Sequence, residues 1–420
     1  ASKFLSGGPD AVYQATSNDY PQLVKEFASE EMGIAMFCTK KATTKFTDAN
    51  ITSSNPAIID QNTDGTEDDI DLVRMLAKVH LLFECYDTHP DYVVITTPGS
   101  LTPAAYGEFG WSKLSEISYI LNTVNKDTKL IQPLYGTGVY NDTYADNNHS
   151  MNDLLEKGME WNYKSGAENK FLAFAEDLYA DHDANWNLWA IKPEQFIENK
   201  APFGTCTDGA YVNGLYCLEN TSDYALKTSM SEDEQKYVPY MVATHIIVKA
   251  RFVPRHIITG VDPYGDPITN TDPGEDGYDT ALATLAEKKA SDGAVDAKGN
   301  PTDYPQGTFF TMDMKSFYSY DGMIATMTAK GYTRKSFAEY PGGYGFYFSY
   351  IHGGTDPSTN QVTFDGNNSG VFRNHYHILN CSLLKVPAVP GSFNALMMVN
   401  SKVVDWNPKG ALNIIVKPNS

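Results

Sequence analysis

Apolar and polar residues alternate with a period of two from Ala77 to Cys85. Ala77, Val79, Leu81, Phe83 and Cys85 fall on one face, and Lys78, His80, Leu82 and Glu84 on the other. That period predicts a strand half-buried in a sheet. Similar strands are predicted at Tyr92 to Thr96 and Ile117 to Asn125. From His245 to Val253 the pattern returns, with Ile246, Val248, Ala250 and Phe252 on one side. Tyr344, Phe346, Phe348 and Tyr350 alternate again, with Gly345 and Ser349 between them. Helical spacing is confined to short stretches: Pro21 to Ala28, Met151 to Tyr163 and Thr280 to Lys289. The class is therefore mainly β, with antiparallel sandwiches as its natural architecture.

Polar, turn-rich stretches divide the chain. Asn50 to Asp69 is acidic and reads as a connector. It separates an N-terminal unit, 1–68, from a larger unit, 69–392. Two insertions rich in turn residues, 141–189 and 262–307, interrupt the second unit. The last segment, 393–420, carries two strand patterns separated by a turn at Asn407 to Gly410. Ala395 to Trp406 is the first, and Ala411 to Lys417 the second, with Leu412, Ile414 and Val416 on one face. A terminal strand can close its own sheet or be donated to a neighbour, because an open sheet edge offers unpaired backbone groups to either.

Composition narrows the partners. The 420 residues carry a net charge of −20, a field that repels phosphate backbones and anionic lipid, so nucleic acid is not an expected partner. No apolar run approaches the ~18 residues of a membrane-spanning helix. The first nine residues do not resemble a signal peptide, which leaves a cytosolic chain or a mature product as the alternatives. Tyr and Phe, 27 and 20 residues, reinforce the β reading.

Candidate chemistry is sparse. Five cysteines are too few and too scattered for a disulfide framework. Cys38, Cys85 and Cys381 sit in strand-like runs as buried thiols. Cys206 and Cys217 flank a loop, and their pairing is left open. Nucleophile-elbow, zinc-protease, C-x-x-C and phosphate-loop signatures are missing. His375 and His377 share one face of a strand, without an identifiable third metal ligand. Asp60, Asn62, Asp64 and Asp71 approach the spacing of a calcium loop. Position twelve is Asp71 in place of a bidentate Glu, and Glu67 stands where an apolar residue packs. A solvated acidic linker is the preferred reading, and neither metal nor cofactor is expected.

Five segments, in order, resemble the fimbrillins of Bacteroidales, the type V pilins, most of all the shaft subunits of minor fimbriae. They are Leu72-Val73-Arg74-Met75-Leu76-Ala77-Lys78-Val79, Ile117-Ser118-Tyr119-Ile120-Leu121-Asn122, Leu215-Tyr216-Cys217-Leu218-Glu219-Asn220, Val371-Phe372-Arg373-Asn374-His375-Tyr376-His377 and Val403-Val404-Asp405-Trp406. The resemblance implies two tandem antiparallel β-sandwich domains of transthyretin-like, Greek-key type, with helical and loop insertions. It implies export to the cell surface as a lipoprotein precursor, trimming by an Arg-specific protease, and polymerisation by donor-strand exchange in support of adhesion and biofilm formation. The implied partners are other copies of the chain or related fimbrial subunits, and host or bacterial surface receptors. The implied donor residues are Val399, Val403, Trp406, Leu412, Ile414 and Val416. The segment before Leu72 is short for a complete family N-domain, which leaves the acceptor groove unassigned.

Two alternatives stand beside the shaft reading. One is a tip or anchor adhesin of the same fimbria, using the two insertions for ligand binding. The other is a secreted carbohydrate-binding module or glycan-active enzyme, with Trp186, Trp189, Tyr344 and Tyr347 as sugar-stacking aromatics.

Overall fold

A computed structural model describes residues 76–97, 102–122, 244–351 and 375–385 continuously, together with short strand segments elsewhere in the chain. It is mainly β. Two sheets enclose one apolar core.

The first sheet is built around the 11-residue strand His375–Lys385. Leu76–Phe83 runs parallel to it, with Leu81 opposite Leu379 and Phe83 opposite Cys381. Ile95–Thr96 pairs parallel with its far end. Leu215–Leu218 lies antiparallel on the outer side of Leu76–Phe83. Met397–Asp405 lies antiparallel along His375–Lys385 through nine residue pairs. The second sheet is antiparallel throughout, in the order Ile197–Glu198, Ile117–Asn122, His245–Arg251, Tyr344–Tyr350.

Alternation fixes which faces meet. Tyr119, Val248 and Tyr347 form one cross-strand row and are all buried in the common core. Ala77, Val79, Leu81, Phe83, Leu379 and Cys381 face them from the first sheet. Each such aliphatic or aromatic side chain contributes about 1.5–3 kcal/mol of burial.

Two expectations are corrected. Leu76–Phe83 is buried on both faces: Lys78, His80 and Leu82 are withdrawn from solvent along with the apolar set. The strand lies inside a mixed sheet, and parallel strands are characteristically covered on both sides. Lys78 keeps its charge partly compensated, with its ammonium 5.3 Å from the Tyr216 ring and 5.4 Å from the Tyr376 ring. The sheet is also not purely antiparallel. The two central strands come from distant parts of the chain, so no hairpin turn dictates their relative direction.

The stretch from Ile257 to Tyr340 builds a third sheet, ordered Pro267–Thr269, Ile257–Val261, Phe317–Tyr318, Phe309–Thr311, Ala338–Tyr340. Ile257, Phe309, Phe317 and Tyr340 join the main core, whereas Ile258, Phe310 and Tyr318 join a small second core. That second core also holds Met323, from the helix Tyr320–Lys330. The expected helix at Thr280 to Lys289 is present as Tyr278–Thr284, followed by a 3-10 turn at Ala290–Asp292. Of the other two expected helices, Ala28 lies in the short strand Ala28–Ser29, while residues 21–27 and 151–163 fall outside the described residues.

The helix Tyr320–Lys330 is not foreshadowed by apolar periodicity, but its ends are. Ser319 accepts a hydrogen bond from the Gly322 amide at its N-terminus, and Gly331 adopts φ 71° at its C-terminus. Gly322 is required by close packing: a Cβ there would meet the Ile258 carbonyl oxygen at 1.9 Å. Gly322→Ala is expected to lower stability by about 2 kcal/mol or more through overpacking, read as a shifted urea midpoint.

Hydrogen bonds from Arg251 tie the second sheet to the segments that flank the third. Arg251 donates from Nη1 to Glu116 Oε1 at 3.0 Å, from Nε to the Gly342 carbonyl at 2.7 Å and from Nη2 to the Gln306 carbonyl at 2.8 Å. The Tyr278 hydroxyl donates to the other oxygen of Glu116.

Candidate assembly site

The C-terminal segment and the sheet it joins form the candidate site. Four of the five family-like segments, scattered between Leu72 and Trp406, contribute strands to the first sheet: Leu76–Phe83, Leu215–Leu218, His375–Lys385 and Met397–Asp405. The fifth, Ile117–Asn122, lies in the second sheet.

Val399 and Val403 occupy positions in Met397–Asp405 opposite Cys381 and His377, both of which are buried. Among the described residues no strand pairs with the outer edge of Met397–Asp405. Ile414 and Val416 belong to the last strand, Ile414–Val416, which pairs antiparallel with Ala57–Ile59. Ile414 stands opposite Ile59 and Val416 opposite Ala57. Among the described residues this ladder is two-stranded and is joined to none of the larger sheets. Trp406 and Leu412 lie outside the described residues, as do Asp60, Asn62, Asp64 and Asp71.

The face of the first sheet opposite the core carries an unusual polar load. Burial, with the neighbouring Lys78 charge adding to it, holds the His80 imidazole down at about 4. Burial likewise lowers the Lys78 ammonium below its usual range. An imidazole that titrates near 6.5 when unfolded and near 4 when folded binds more protons in the unfolded state between those values. Stability is thus full above pH ~6.5 and falls as the pH drops toward ~4, by about 3 kcal/mol from this group. In His80→Gln the acid-side loss of the urea midpoint is expected to shrink correspondingly.

Cys85, Cys217 and Cys381 take part in no disulfide, and burial pushes Cys85 up to about 11, with Asp91 and Glu84 adding to the effect. Cys206 lies outside the described residues. His375 Nδ1 lies 2.7 Å from the Arg373 carbonyl oxygen, and its ring is 6.4 Å from that of His377. Among the described residues no three metal-ligating side chains converge. Tyr347 is buried in the core, and Tyr344 is half-buried beside Lys249 and Arg251, 4.4 and 5.3 Å from its ring. Neither offers a free sugar platform, and Trp186 and Trp189 lie outside the described residues. No described helix is long and apolar enough to cross a membrane.

No protein-family model matches the chain. No curated protein matches it either. Among solved structures, a fimbrilin (FimA) from Porphyromonas gingivalis W83 aligns with 86% of this chain and 65% of its own length. The identity is 10% and the TM-score 0.26, a superposition that carries no structural argument.

Proposed function

We propose that this chain is a structural subunit of a surface fimbria that polymerises by exchange of its C-terminal strand, with no catalytic role. The observation that carries the reading is the isolation of the last strand. Among the described residues, Ile414–Val416 is held by three residue pairs to Ala57–Ile59, outside every larger sheet. A lone two-stranded ladder is marginal in water. Replacing it with the same strand from a second copy keeps the backbone bonds and adds side-chain burial in a neighbour's groove. The order of the five family-like segments supports the same reading, and it is the basis for surface export and protease trimming. Residues 393–420 act as the donor segment in this scheme. Other copies of the chain, or related fimbrial subunits, are the partners.

Electron microscopy of the purified chain, before and after an Arg-specific protease, tests the proposal. Filaments with a single repeating subunit are expected in at least one of the two conditions. Monodisperse single particles in both would contradict it.

A further inference from the structure

A cleft of ≈ 540 Å³ opens between the strand His89–Val93 and the 3-10 turn Leu114–Glu116. Asp91, Tyr92, Lys113, Leu114 and Ser115 line it. An antiparallel bridge between Tyr92 and Lys113 joins its two sides, reinforced by the Val93 amide donating to the Ser112 carbonyl at 3.0 Å.

Lys113 and Tyr92 are held before any ligand arrives. The Lys113 ammonium lies 3.7 Å from the centre of the Tyr278 ring and 5.9 Å from that of Tyr92, with the Asp279 carboxylate at 3.6 Å. The Tyr92 ring is braced edgewise by Tyr106 and Tyr278, at centroid distances of 5.4 and 6.0 Å. Tyr106 is itself stacked on His89 at 3.5 Å, and His89 Nε2 stands 3.4 Å from Asp276. Leu114 is buried and supplies an apolar wall, whereas Asp91 and Ser115 are exposed.

Among the described residues the lining therefore combines one carboxylate, one ammonium, two hydroxyls, an aromatic ring and an aliphatic surface. We propose that this cleft binds a neutral saccharide unit. Sugar hydroxyls donate to Asp91 and accept from Lys113 and Ser115, while the C–H face of the ring packs on Tyr92. Charge selects against the alternatives. Among the described residues Asp91 and Asp279 outnumber Lys113, and together with the net charge of −20 they disfavour phosphates and acidic sugars. Lys113 within the cleft disfavours a cation.

The test is calorimetric titration of the intact chain with glucose, galactose, mannose, N-acetylglucosamine, maltose and lactose, and with N-acetylneuraminic acid as the acidic control. At least one neutral sugar is expected to bind with a Kd below about 10 mM. Asp91→Asn and Ser115→Ala change exposed side chains and should leave the fold intact. Asp91→Asn is expected to weaken binding about tenfold, the scale of a lost charge-assisted hydrogen bond, and Tyr92→Leu by at least as much. Saturation by no neutral sugar overturns the proposal. So does affinity unchanged in Asp91→Asn and Ser115→Ala, or tighter binding of N-acetylneuraminic acid than of every neutral sugar.

Discussion

A chain ending at Asn407 is expected to fold and to form no filaments. It lacks Ile414–Val416 but keeps Met397–Asp405, whose nine residue pairs cover one edge of His375–Lys385. Among the described residues the lost ladder has three pairs and belongs to no larger sheet, so its removal costs the monomer little. Ending the chain at Phe393 differs in kind. It strips the edge strand from His375–Lys385 and exposes a long row of unpaired backbone groups beside a buried core, which favours non-specific aggregation. Sedimentation velocity and electron microscopy separate the two outcomes. The shorter truncation should give a cooperative, monomeric protein, and the longer one a destabilised, aggregation-prone chain. Ordered filaments from the chain ending at Asn407 would exclude the last strand as the donor.

Arg251→Met is expected to cost about 2–3 kcal/mol, below the full penalty for breaking a deeply buried pair because both partners retain some exposure. The substitution keeps much of the apolar stem. It leaves Glu116 with only the Tyr278 hydroxyl among the partners described here, and it removes the donors to the Gly342 and Gln306 carbonyls. Since those contacts join the second sheet to Tyr278 and to the loops around the third sheet, the loss should appear first as local opening there. Hydrogen exchange of 278–285 and 305–311 should accelerate before that of Leu76–Phe83. The Glu116→Gln/Arg251→Met double variant should lose less than the sum of the two single changes, because the partners act as one unit.

The strands of the two large sheets were legible because alternation marks a strand whatever it pairs with. Ile246, Val248 and Ala250 face the core as their spacing predicts. Pairing was not legible. The Leu76–Phe83 strand meets His375–Lys385 in parallel across most of the chain's length, and nothing in either segment encodes that direction. The burial of Lys78 and His80 was hidden for a related reason: polar identity suggests solvent, and aromatic neighbours such as Tyr376 come from remote segments. The helix Tyr320–Lys330 carries no clear apolar stripe because Gly322, Thr326 and Thr328 blur its spacing, although Ser319 and Gly331 mark its ends. The cleft at Tyr92 and Lys113 was invisible in the sequence, since Tyr278, which helps to hold the ammonium, lies far along the chain.

The most direct measurement locks the last strand into its own molecule. Ile59 and Ile414 are register partners in the terminal ladder, so Ile59→Cys with Ile414→Cys places a bridgeable pair across it. Polymerisation is followed by light scattering under oxidising conditions and again after reduction. Strand exchange predicts that the oxidised chain, with its intramolecular disulfide verified by mass spectrometry, stays monomeric and forms filaments once reduced. Filaments assembling equally well from the locked chain would contradict the account.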